Sequence, residues 1–176
     1  MTRTRRLLPL LTLCALALAA CDKTRIEPVV EEETEELRYE NVDPELQSYF
    51  AAYEAAAAER GIVVDLSAMN LTGHLERIGA SGVAGECNYI PDDPNRVTVD
   101  EDTWRQVGES LREYIVFHEL GHCERLRGHR ETADADGRCV SIMASGTGDC
   151  RENYGRSTRE AHLDELFDER FYDTWP

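Results

Sequence analysis

The chain has 176 residues, 31% of them charged, with 35 Asp and Glu against 19 Lys and Arg and a formal net charge of −16. A surface this acidic repels nucleic acid and anionic headgroups, which argues against electrostatic binding to either. The length suits one modest core, and no internal repeat of the roughly 20–50-residue kind is present.

The N-terminus opens with Arg3, Arg5 and Arg6, continues as an apolar run over 7–20, and ends in small residues before Cys21. This is the layout of a secretory signal over 1–20, with an apolar run too short for a permanent membrane span. Leu18-Ala19-Ala20-Cys21 resembles a bacterial lipobox. That resemblance implies cleavage before Cys21, lipidation of its side chain, and a membrane anchor facing the periplasm or the exterior. An ordinary cleaved signal is the alternative, Thr4-Arg5-Arg6 faintly resembles a twin-arginine signal, and Asp22 resembles an inner-membrane retention residue. The signal's only charges are its three arginines, so its removal takes the net charge to −19. Residues 21–36, rich in glutamate and poor in groups to bury, read as a solvated acidic tether, and 37–176 as the folded domain.

In the folded part, 44–60 predicts a helix: Pro44 sits in the first turn, Leu46, Tyr49, Phe50 and Tyr53 share a side, and Gly61 stops it. The β-branched run 61–67 predicts a strand and 71–81 a second. Residues 84–101 predict a hairpin about a Pro- and Asp-rich turn at 90–95. One long helix is expected over 102–127, with Asp102 as N-cap, Gly128 as terminator, and Trp104, Val107, Leu111, Tyr114, Ile115 and Leu120 at helical spacing. A turn-rich stretch over 129–153 follows, then a terminal helix over 157–171 with Ser157 as a cap. The order predicts an α+β domain: a small mixed sheet packed on the long helix and the terminal helix.

The long helix carries Phe117-His118-Glu119-Leu120-Gly121-His122, and His129 follows seven residues later, in a chain with five histidines. Four residues apart on a helix, His118 and His122 present imidazoles to one point, which is half of a tetrahedral zinc shell. Glu119 lies one step around, beside the shell's open side, where it can accept a proton from water that the metal has acidified. The apolar Tyr-Ile-Val-Phe ahead of His118 buries this helix, and buried histidines without a purpose are uncommon. A solvated helical face is the bland alternative. The third ligand expected is His129, brought back by a turn at Gly128. The competing scheme draws it from Glu160 or Glu165 on the last helix, with His162 between them.

With Ser141-Ile142-Met143 downstream, the stretch 114–145 resembles a metzincin-like zinc metallopeptidase of the small bacterial envelope type. The resemblance implies a zincin-like fold, zinc on His118, His122 and His129, Glu119 as catalytic base, Met143 in a methionine turn beneath the metal, and a protein or peptide substrate. The metzincin pattern has glycine where this chain has Arg125 and its third histidine one position before His129, so the turn is built differently. Some metzincins place a transition-state tyrosine two residues after the methionine; this chain has Ser145, and Tyr154 is the substitute considered.

Outside the signal and anchor, Cys87, Cys123, Cys139 and Cys150 suit two disulfides in an oxidising compartment, with three possible connectivities. Cys123 points about 100° from the His118 and His122 face, which argues against a thiolate ligand. The pairing expected is Cys123 with Cys139, leaving Cys87 with Cys150. Asp134-Ala135-Asp136-Gly137 reads as an acidic turn, since no bidentate glutamate follows at calcium-loop spacing. His74 reads as a surface or core-satisfied histidine, and the sequon at Asn70 has no consequence in a bacterial lipoprotein. Two functions remain: a zinc endopeptidase, or a non-catalytic binding lipoprotein with a closed zinc site. Glu119 favours the first, because a structural site has no use for a carboxylate beside an open position.

Overall fold

The computed structural model describes residues 38–90, 93–146 and 149–172. The signal, Cys21, the tether, Leu37 and the hairpin tip at Pro91 and Asp92 lie outside them. Helix α1 (Gln47–Ala58) begins three residues after Pro44 and buries Leu46, Phe50, Tyr53 and Ala57 completely, a spacing that keeps one face inward. Gly61, at φ 76°, closes α1: its N–H bonds to Ala58 and that of Ile62 to Ala57, a Schellman ending.

The strand expected over 61–67 does not form. Val63 is 95% exposed, and the Leu66 N–H goes to the Glu54 carboxylate at 2.8 Å instead of to a neighbouring strand. The sheet has three strands, β1 (Thr72–Glu76), β2 (Gly85–Ile90) and β3 (Asp93–Asp100), in the order β1-β3-β2. The expected hairpin is β2 with β3, antiparallel, with Cys87 opposite Val97. β3 then runs parallel to β1, with Thr72 opposite Arg96. Val97 and Val99 are fully buried on the face that meets the helices. The molecule is therefore a small mixed α/β protein, consistent with α+β.

The helix expected over 102–127 is two helices, α2 (Glu101–Gln106) and α3 (Glu109–Cys123). Val107 and Gly108 between them are extended, where a β-branched residue and a glycine weaken helix continuation. The cap is Asp100 rather than Asp102. Its carboxylate accepts from the Thr103 N–H and hydroxyl at 2.8 Å and from the Ile78 N–H at 2.9 Å, tying α2 to the segment after β1. α3 packs on α1 through Tyr53, whose ring meets Phe117 edge-on at 5.2 Å and Phe167 at 5.0 Å.

Residues 149–153, expected as loop, form helix α4 (Asp149–Asn153), and the terminal helix is shorter than expected, α5 (Arg159–Leu166), with Thr158 rather than Ser157 at its start. No helix among the described residues is long and apolar enough to cross a membrane. The disulfides are Cys87–Cys123 and Cys139–Cys150, not the pairing expected. Cys123 does point away from the histidine face, but what lies there is the sheet: β2 carries Cys87 against the end of α3. The second bridge fastens α4 to the strand-like end of the 134–139 turn. Cross-links of these separations stabilise by roughly 3–4 kcal/mol each through the unfolded chain.

Candidate metal centre

The C-terminal half of α3 is buried except at His118, which is half-buried at the cleft, and its spacing stacks His118 and His122 one turn apart. Beyond Cys123 the chain reverses at Leu126, which takes φ 52°, and the Arg127 N–H bonds back to the Gly121 carbonyl at 3.1 Å. Gly128 is thus not the terminator. A leucine in the left-handed region costs on the order of 1 kcal/mol. Arg125, three residues after His122, is buried, its guanidinium 5.6 Å from the Phe167 ring centre and 5.3 Å from that of Tyr172. The longer loop returns on an Arg130 N–H bond to the Met143 carbonyl at 2.8 Å and delivers His129 to the two helical histidines.

The three Nε2 atoms form a triangle: 3.1 Å between His118 and His122, and 3.2 Å from His129 to each. A tetrahedron with metal–nitrogen bonds of about 2.0–2.1 Å has edges of about 3.3–3.4 Å, so the triangle matches one face of such a shell. The hydrogen bonds agree. The Nδ1 of His118 lies 2.7 Å from the Ile142 carbonyl and that of His122 lies 2.6 Å from the Arg127 carbonyl. A carbonyl only accepts, so each Nδ1 carries the proton and each Nε2 keeps its lone pair for a cation. Burial, reinforced by the neighbouring imidazoles, lowers His118 to about 3; burial likewise lowers His122 to about 4. Both are neutral at neutral pH, the form that binds metal. His118, His122 and His129 form a cluster that could hold a metal ion.

Glu119 is buried, and its Cγ and Oε1 lie 2.8 Å from where a Cβ on Gly85 would stand. The carboxyl therefore rests on the bare backbone at the start of β2. No hydrogen-bond donor engages it among the described residues, and it opens onto a cleft of about 510 Å3 between α3 and 78–85. Burial, with Glu86 adding repulsion, raises Glu119 to about 8; a cation nearby opposes that shift. Gly85 is a position the sequence reading missed. Its signal is a glycine at a strand start, which marks close approach of another group.

Met143 is fully buried, its sulfur occupying the space that a Cβ would need on Gly121, the glycine between the two helical histidines. Gly121→Ala therefore displaces Met143, and a loss of about 1–3 kcal/mol in denaturant unfolding is the expected result. The same change perturbs the Ile142 carbonyl that holds His118. The remaining candidates lie elsewhere. Glu165 is buried against Arg127 at 2.7 Å, Glu160 pairs with Arg60 and Arg159 at the surface, and His162 faces the Thr158 and Cys150 carbonyls. Tyr154 is also buried, its hydroxyl without a hydrogen-bond partner among the described residues; burial, reinforced by Glu113, raises its pKa. It does not line the cleft, whereas Tyr114, whose ring stacks 6.4 Å from that of His118, does. His74 sits half-buried on β1, apart from the cluster. The acidic turn forms as expected, with Asp134 Oδ1 accepting from the Asp136 and Arg138 N–H groups at 2.9 Å.

No family model, curated protein or solved structure matches the chain.

Proposed function

We propose that this chain is a zinc-dependent endopeptidase of the bacterial cell envelope, anchored through lipid on Cys21. The observation that carries this reading is the convergence of three imidazoles beside Glu119, a buried carboxyl that has no hydrogen-bond partner among the described residues and opens onto a cleft. Three histidines with an open position are a catalytic rather than a structural zinc pattern. His118, His122 and His129 would hold the cation, which would supply Lewis acidity toward a peptide carbonyl and a bound water. Glu119 then accepts the proton of the attacking water and returns it to the leaving amine. The Ile142 and Arg127 carbonyls keep the two helical imidazoles in the ligating tautomer. β2 pairs with β3 on one side only, so its other edge can take an extended substrate backbone. Two disulfides fit an exported domain.

The alternative, a binding lipoprotein with a structural zinc site, gives the unpartnered Glu119 no task. The test is metal analysis of the purified full chain, with cleavage of an unfolded protein measured before and after chelation. One zinc per chain and cleavage abolished by chelator and restored by zinc are expected. A metal-free protein after growth in zinc-replete medium, or a zinc-loaded one without cleavage, overturns the reading.

A further inference from the structure

Arg151, on α4, lines the cleft together with Tyr114, His118, Glu119 and His129. It is half-buried, and neither an ion pair nor a side-chain hydrogen bond satisfies its guanidinium among the described residues. This sets it apart. Arg127 is paired with Glu165 at 2.7 Å, Arg159 with Glu113 at 2.7 Å, and Arg60 with Asp164 at 2.8 Å. In a chain with 35 acidic residues, a partly desolvated guanidinium without a carboxylate forgoes a stabilising contact that the composition makes readily available. The acids of the cleft do not compensate: Glu119 makes no ion pair with Arg151 among the described residues. The Asp100 carboxylate is taken up by Ile78 and Thr103, and Asp102 is held by Arg77 at 3.0 Å.

Arg151 is also held in place. The adjacent Cys150 is tied to Cys139, its carbonyl lies 3.3 Å from the His162 ring, and the Arg151 carbonyl accepts from Tyr154 N–H at 3.2 Å. Its charge reaches the Tyr114 hydroxyl, where it opposes the rise caused by burial. These contacts fix its backbone, and the planar guanidinium carried on it is left open to take a carboxylate as a two-pronged fork.

We infer that Arg151 recognises a carboxylate on the bound peptide, making this a cleft selective for acidic side chains or for a free C-terminus. The inference rests on the hydrolase reading for the identity of the ligand as a peptide, but not on turnover. The test therefore measures binding, in the zinc-loaded full chain carrying Glu119→Gln to block cleavage. Two peptide pairs serve as probes: acetyl-Ala-Ala-Glu-Ala-Ala-amide with its glutamine twin, and acetyl-Ala-Ala-Ala free acid with its amide.

One acid of the two pairs is expected to bind roughly 10–100-fold more tightly than its neutral twin, as a charge-assisted contact to arginine gives. Which pair shows the gap identifies side chain or terminus as the source. Arg151→Gln is expected to erase the gap and leave the neutral peptides and the zinc content unchanged. Arg151→Glu, the second variant, is expected to reverse it, favouring a lysine twin of the first peptide. No preference in either pair, a preference that survives Arg151→Gln, or an equal loss for acid and neutral peptides each overturns the inference; the last would place the arginine on the reacting carbonyl. A clear preference in a protein that, with Glu119 intact, cleaves nothing sinks the hydrolase and leaves the carboxylate site standing.

Discussion

With Glu119 replaced by glutamine, the chain is expected to keep its metal and lose peptide cleavage by roughly 10²–10⁴-fold, the usual contribution of a positioned general base. Glutamine has nearly the same shape, so it fits against Gly85 where the carboxyl now lies. It cannot take a proton at neutral pH. The metal is expected to stay because the three Nε2 atoms and their carbonyl partners are untouched. Metal analysis paired with steady-state rates separates the outcomes. Zinc lost along with activity would put Glu119 among the ligands, and unchanged cleavage would assign proton transfer to another group.

How much of this was legible in the letters follows the range of the forces involved. His118 and His122 were readable because a helical repeat alone brings them together, and Gly61 because one residue's backbone freedom ends α1. His129 was readable by nearness, but its route was not: the reversal falls on Leu126, a residue with no intrinsic left-handed preference, in a loop held by the Arg127 N–H on the Gly121 carbonyl and the Arg130 N–H on the Met143 carbonyl. The disulfides failed for a related reason. Helical geometry gave the direction of Cys123, while what stands in that direction depends on how β2 packs on α3. Residues 61–67 have the composition of a strand, yet the Glu54 carboxylate claims the Leu66 N–H. Arg151 could not be singled out because being unpaired is a property of the whole fold.

Glu165 acts on the fold rather than as a ligand: Glu165→Ala is expected to cost about 3–5 kcal/mol, the penalty for orphaning a buried charge. Arg127 is wholly buried, and its guanidinium donates to both Glu165 oxygens, at 2.7 and 3.2 Å, and to the Glu165 and Leu166 carbonyls. Without Glu165 the cation keeps its carbonyls but loses its counter-charge, and the Thr132 and Ser141 hydroxyls lose their acceptor. The damage reaches the metal centre by two paths. Arg127's own carbonyl accepts from His122, and Ser141 holds the turn whose Ile142 carbonyl accepts from His118. Disturbed partners of ligating histidines lower metal affinity about 10–100-fold. Zinc competition against a chromophoric chelator reads that loss, and denaturant unfolding in chelator reads the stability. The double variant Arg127→Met with Glu165→Leu separates charge from packing: with no charge left uncompensated, most of the stability returns. A single Glu165→Ala variant within about 1 kcal/mol of the parent would mean that water reaches Arg127, and the rigid support assigned to His122 would have to come from α3 alone.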